Sequence, residues 1–306
     1  MEGVDKMKTF LCEYIHEKAR KELESFSELV DDWERFSECD AVINRNLQLT
    51  KEILRGASNL KVIAVHGTGL DGVDLEAAKE FGISVFSTPY RNAVSVAELN
   101  IALMLMTARK VSMISKQVQE KGSFTNASVM AQLQGIELSG KKVAFLGVGE
   151  IAKKTIFICK YGFSMQCIGW SRSLTKEKAK ELGIEFASTR LEAIKEADFV
   201  ILGMALTKET RGIFGKQEIE GMKQGAILIN TARGALIQED LLYEALKQGK
   251  LGGAGLDVLI KEPFSMETPL YCLDNVVLTP HIGANTEDAL YRVGMACVEG
   301  IRSVIE

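Results

Sequence analysis

Arg233, Glu262 and His281 are the residues whose types and order can do chemistry together. A guanidinium offers a planar fork that holds a carboxylate or polarises a carbonyl. An imidazole moves a proton near neutral pH once a carboxylate orients it, and that carboxylate favours the protonated ring. Upstream lies a glycine turn, Gly147-Val148-Gly149-Glu150-Ile151-Ala152, directly after the apolar run Lys142–Leu146. Glycines there let the backbone approach a pyrophosphate, and Ala152 permits close packing of helix on strand. The first helical residues, Glu150 and Ile151, bring unpaired N–H groups to the phosphates. Together these features predict hydride exchange between a dinucleotide and a small oxo acid. Singly, each has a plain alternative: Arg233 as a surface ion pair, Glu262 as a loop carboxylate, His281 as a core histidine.

The next strand, Met165 to Trp170, ends at Ser171, where an NAD-binding protein would carry Asp or Glu for the ribose hydroxyls. No carboxylate stands there to repel a 2′-phosphate, and Arg172, Ser173 and Lys176 follow closely. NADP is therefore favoured. NAD remains the alternative, with Arg172 as a solvated charge.

The elements that must hold these groups follow from the pattern of the chain. With 306 residues, 46% hydrophobic and 25% charged, the chain is long enough for two ordinary domains. A net charge of -4 with scattered Lys and Arg argues against a nucleic-acid partner. No apolar run approaches the roughly 20 residues of a membrane span. The start, MEGVDKMKTFLCEYI, shows no signal-peptide core, so a cytoplasmic location is expected. The cysteines at 12, 39, 159, 167, 272 and 297 have no metal-ligand spacing and read as reduced thiols, with no metal site.

Strands are predicted at Thr9 to Tyr14, Ala41 to Ile43, Val62 to Val65 and Ile83 to Phe86. Helices are expected at His16 to Phe26, at Thr50 to Leu54 and at Asp74 to Phe81, the last ended by Gly82. A long helix over Ser95 to Thr107 leads into a weakly patterned stretch through Gly135. A second series then places strands at 142–146, 165–170, 199–202, 226–229, 253–257 and 276–278, with a final helix at Glu287 to Ile305. The fold expected is α/β, with two doubly wound parallel-sheet domains: a flavodoxin-like substrate domain and a Rossmann dinucleotide domain. The substrate domain is expected at 1–100 with 285–306, and the dinucleotide domain at 101–284.

Three further segments, Ala226-Ile-Leu-Ile-Asn230-Thr-Ala-Arg233-Gly234, Gly253-Ala-Gly-Leu-Asp257-Val and Thr279-Pro-His281-Ile-Gly283, resemble the D-2-hydroxyacid dehydrogenases. Gly67-Thr-Gly69-Leu-Asp71 near the front does too. The resemblance covers nearly the whole chain. It implies His281 as general acid and base, Glu262 as its hydrogen-bond partner, and Arg233 on the substrate's carboxylate and carbonyl. It also implies that the Thr68 and Gly69 N–H groups grip the carboxylate, that Asp257 faces the nicotinamide amide, and that Ala205, Thr210, Thr231 and Ala232 belong to the cofactor pocket.

Departures from the family pattern matter. Gly203-Met204-Ala205-Leu206-Thr207 lacks the family's usual His or Asn first and Pro before the Leu. Glu262, where formate dehydrogenases carry Gln, argues against formate. Arg45 stands where phosphoglycerate dehydrogenases of the family place an Arg near the substrate phosphate, although a loop Arg is more often simply a solvated charge. His66 beside the substrate loop has either a ligand or a structural role, and His16 is expected to cap a helix.

The main reading is a reductase of glyoxylate or hydroxypyruvate, and the alternative is a D-3-phosphoglycerate dehydrogenase. A third, of another class, is a dinucleotide-sensing corepressor. The chain ends soon after the catalytic half, so no regulatory domain or partner-binding tail is expected. The family implies a homodimer through Val96 to Thr107 and its continuation.

Overall fold

The computed structural model describes residues 6–122, 133–265 and 267–305. Residues 1–5, and residues 123–132 of the weakly patterned stretch, lie outside the described residues; the earlier part of that stretch forms a helix that its pattern did not announce. The chain divides into two compact units, Met1–Ser95 with Ala284–Glu306, and Val96–Gly283.

The first unit holds strands β1 (Met7–Leu11), β2 (Ser27–Val30), β3 (Ala41–Asn44), β4 (Val62–Val65) and β5 (Ser84–Ser87). Its helices are α1 (Glu17–Glu24), α2 (Lys51–Arg55) and α3 (Leu75–Glu80). All pairings are parallel, in the order β2-β1-β3-β4-β5, the flavodoxin-like winding. β3 and β4 are wholly buried, as expected of parallel strands covered on both faces. Phe10, Leu49, Leu54 and Ile63 fill one face. Ile15, Ala19 and Leu23 fill the other, with Cys297, Val298 and Ile301 of the last helix, α11 (Glu287–Ile305). His16 does cap α1, its Nδ1 accepting the Lys18 N–H at 3.1 Å. β2 was not expected: four residues, half of them polar, give too short a pattern to read, and it forms only because β1 offers a free edge.

A long apolar helix, α4 (Ala93–Ala108), contains the division between the units and is followed by α5 (Val111–Lys121). Within the second unit Ile101, Leu103, Met104 and Ala108 pack into the local core, with Leu99, Leu105 and Met106 against it. The strands are β6 (Lys142–Leu146), β7 (Gln166–Trp170), β8 (Glu185–Phe186), β9 (Phe199–Leu202), β10 (Ala226–Asn230), β11 (Leu251–Leu256) and β12 (Val276–Leu278). Between them run α6 (Glu150–Phe163), α7 (Lys176–Leu182), α8 (Arg190–Ile194), α9 (Lys216–Gly221) and α10 (Glu239–Lys247). The parallel order β12-β11-β10-β9-β6-β7-β8 is the Rossmann order extended by one strand. Six strands were expected; the seventh, β8, has two residues and carries no period of its own.

Candidate active site

In the second unit every candidate group follows the C-terminal end of a strand, the edge where doubly wound sheets bind ligands. The glycine turn follows β6, Ser171 follows β7, Gly203 follows β9, Arg233 follows β10, Glu262 follows β11 and His281 follows β12. Strand registers Asn230↔Leu256 and Leu256↔Leu278 bring the last three of these ends side by side.

The turn before Arg233 is built by Asn230, which is fully buried. Its side-chain oxygen accepts the Ala232 N–H at 3.0 Å and its amide donates to the Arg233 carbonyl at 2.9 Å. The Arg233 Nη1 donates to the Ala232 carbonyl at 2.8 Å. Gly234 is obligatory, because a Cβ there would lie 2.0 Å from the Leu259 carbonyl carbon.

His281 sits at φ 54° on a turn organised by Asp257. The buried Asp257 carboxylate accepts from the Thr279 hydroxyl at 2.7 Å and from the Ile282 and Gly283 N–H groups at 2.8 Å. Its own carbonyl accepts the His281 N–H at 2.8 Å. Burial pushes this carboxyl above the ordinary aspartate range, and the three bonds work against that. Held this way, His281 Nδ1 meets Glu262 Oε2 at 2.7 Å, with side chains 32% and 29% exposed. Glu262 Oε1 in turn accepts the Leu259 N–H at 3.2 Å. With Nδ1 committed to the carboxylate, Nε2 is the nitrogen left to exchange a proton.

The glycine turn fits a dinucleotide. Gly147 takes φ 101°, and a Cβ on it would lie 2.5 Å from the Gly203 backbone. Its N–H donates to the Trp170 carbonyl at 2.8 Å. A Cβ at Gly149 would meet nothing within 4 Å, so space stands open over the N-terminus of the 14-residue α6. Glu150 turns away to pair with Lys153 at 2.5 Å. Ala152 is buried, as close packing requires.

Ser171 is half-buried, and Arg172 and Ser173 are exposed. Glu209 was not foreseen beside them: the Thr207 hydroxyl holds its carboxyl below the ordinary glutamate range, with the Arg172 charge contributing. Thr210 is buried and builds the loop after Gly203, donating to the Ala205 carbonyl at 2.7 Å and accepting the Thr207 N–H at 2.7 Å. Thr231 donates to Asn100 of α4 at 2.8 Å, and Asn100 donates to Thr155 of α6 at 3.2 Å. Asn100, Asn230 and the anchoring duty of Asp257 escaped the sequence reading, because each depends on partners distant in the chain.

In the first unit the loop Gly67 to Gly69 follows β4 and is pinned by the buried Thr88. The Thr88 hydroxyl accepts the Gly67 N–H at 3.1 Å, and the Thr88 N–H donates to the Gly67 carbonyl at 2.8 Å. Thr68 is exposed and Gly69 half-buried, and among the described residues neither N–H is spent. Arg45, half-buried, follows β3, where Asn44 shapes the turn by bonding both N–H and C=O of Leu47. His66 is 3% exposed, and among the described residues neither ring nitrogen makes a hydrogen bond of ordinary geometry. Burial, with the Arg45 charge adding, pushes its pKa down to about 4. Among the described residues no His, Cys, Asp and Glu group could hold a metal, and no helix is long and apolar enough to cross a membrane.

Comparison with known proteins identifies the family. Residues 101–283 match the description "D-isomer specific 2-hydroxyacid dehydrogenase, NAD binding domain". The D-3-phosphoglycerate dehydrogenase of Methanocaldococcus jannaschii is 37% identical over 308 residues, covering 98% of this chain and 57% of that one. This chain thus spans about half the length of the phosphoglycerate dehydrogenases it matches. The hydroxypyruvate reductase of Thermotoga maritima is 39% identical over 293 residues, covering 92% and 91%. The crystal structure of TT0316 protein from Thermus thermophilus superposes with a TM-score of 0.88 at 33% identity, covering 98% and 97%. Identity that runs through both units, joined to a sheet edge arranged for an Arg, a Glu and a His, places the chain in the D-isomer specific 2-hydroxyacid dehydrogenase family.

Proposed function

We propose that this chain reduces small 2-oxo acids such as glyoxylate or hydroxypyruvate to the D-2-hydroxy acid, with NADP(H) preferred over NAD(H). The observation that carries the reading is the His281–Glu262 pair at 2.7 Å, on a turn locked by buried Asp257 beside the strand end that presents Arg233. Bound nicotinamide supplies the hydride. Arg233 steadies the carbonyl oxygen as it gains charge, and His281 Nε2 delivers the proton to it while Glu262 stabilises the imidazolium. In the reverse direction Nε2 takes the same proton. The Thr68 and Gly69 N–H groups take the substrate carboxylate. The N–H groups at Glu150 and Ile151 hold the pyrophosphate. Ser171, Arg172 and Ser173 hold the 2′-phosphate, Ala205, Thr231 and Ala232 line the cofactor pocket, and Thr210 keeps its loop in shape. The remaining acceptor capacity of Asp257 serves the nicotinamide amide.

Similarity to a hydroxypyruvate reductase over nine-tenths of both chains supports this substrate class. A cytoplasmic setting belongs to the same reading and is supported by six free thiols. A homodimer through α4 belongs to it as well, although much of that helix already packs into its own core.

A second reading, oxidation of 3-phosphoglycerate with NAD, is favoured by Arg45 and by the likeness to the Methanocaldococcus enzyme. Loss of reduced-nicotinamide absorbance, followed with NADPH and NADH against glyoxylate, hydroxypyruvate, pyruvate and 3-phosphohydroxypyruvate, separates the two. NADPH with a small oxo acid is the expected winner, and Arg172→Ala is expected to lower the NADPH preference roughly tenfold. NADH with the phosphorylated acid would install the second reading. Turnover of no acid would end both.

A further inference from the structure

We infer that Glu239, at the start of α10, is a positioning residue for the Glu262–His281 pair, acting through the backbone of the loop that carries Glu262. Its Oε1 accepts the Ile260 N–H at 2.5 Å, across 21 residues of sequence. That peptide immediately follows Leu259, whose own N–H donates to Glu262 Oε1. The same peptide rests closely on Gly234, where a Cβ would lie 2.4 Å from the Ile260 nitrogen. The Leu259–Ile260 peptide is therefore held both by close contact with the residue after Arg233 and by the Glu239 carboxylate, and Glu262 is two residues further on.

A surface carboxylate that merely decorated α10 would have no reason to accept a like neighbour. Glu239 does: burial, then the charges of Asp240 and Glu262, raise its carboxyl above the ordinary glutamate range, and only the Ile260 bond works the other way. The arrangement sets the approach of Glu262 to the imidazole while Glu239 itself touches neither ring nor reacting atoms.

The inference rests on the reductase reading, so its test includes a readout that needs no turnover. The chain holds three histidines, and the ring-proton NMR signal of His281 is assigned by its absence in His281→Gln. In Glu239→Ala the His281 signal is expected to move or broaden at fixed pH while those of His16 and His66 stay. With the oxo acid found active, kcat is expected to fall roughly 10- to 100-fold, as when a residue that orients a working side chain is lost. The KM for NADPH stays within roughly twofold, which separates a positioning loss from a binding loss. Glu239→Gln keeps an acceptor oxygen for Ile260 and is expected to recover kcat to within roughly threefold of wild type. Should the Ala variant fail to fold, Glu239→Asp, which draws the acceptor back by one methylene, reads the same signal. An unmoved His281 signal with wild-type kcat in Glu239→Ala overturns the inference, as does a Gln variant no better than Ala. Wild-type inactivity with a displaced His281 signal overturns the reductase reading and leaves the clamp standing.

Discussion

Two histidines, one in each unit, end parallel strands at comparable places and are built in opposite ways. His281 is about a third exposed, paired with Glu262 and fixed by an aspartate that spends three hydrogen bonds on its turn. His66 is sealed in, has no side-chain partner among the described residues and lies near a guanidinium rather than a carboxylate. The first has one ring nitrogen bound to a carboxylate and the other open; the second is kept neutral by burial. The ring is the same, so the difference lies in what the fold places against it.

The comparison breaks most visibly if His281 is removed. His281→Gln is expected to lower kcat roughly 1,000-fold, about 4 kcal/mol, while NADPH binding measured by fluorescence stays near wild type. Turnover within a few-fold of wild type would mean that His281 is as inert as His66.

The sealed histidine should show itself in stability. The unfolded ring titrates near 6.5 and the folded one at about 4, so below 6.5 only the unfolded chain takes up the proton readily. Its contribution is whole above that pH and is lost as the pH falls toward 4, by about 3 kcal/mol from this group alone. Denaturant unfolding of wild type and His66→Met across that range checks it. The variant's curve should be flatter by that amount, and parallel curves would show that His66 is not desolvated.

A milder change makes His281 resemble His66 by taking away its charge partner. Glu262→Gln keeps an oxygen for the Leu259 N–H but leaves the imidazolium without a carboxylate. An approximately 30-fold loss of kcat is expected, smaller than that of the His281 variant because the ring remains. A loss as large as that of His281→Gln would show that orientation and charge cannot be separated here.

Much of this site is legible before folding, for a physical reason. In a doubly wound sheet each strand delivers the next residues to the same edge, so a glycine turn, Ser171, Arg233, Glu262 and His281 can be assigned by what precedes them. Missed were the pieces without local signature: β2 and β8, too short for a period, and Asn100, Asn230 and Glu239, ordinary polar residues on helices and strand ends. Asp257 was noticed for its motif, yet its grip on the His281 turn was not foreseen. Glu209 beside Arg172 escaped for the same reason.

The sequence by itself therefore determined the α/β alternation, the glycine turn, the order of the Arg, Glu and His and the lack of a carboxylate at Ser171, since these depend on neighbours along the chain. Only the tertiary structure decided that His66 is sealed, and what fixes each loop. The deciding bonds join Thr231 to Asn100 across 131 residues, Asp257 to Gly283 across 26 and Glu239 to Ile260 across 21. No local preference encodes such a bond, because a short polar side chain favours many partners equally until packing leaves it one.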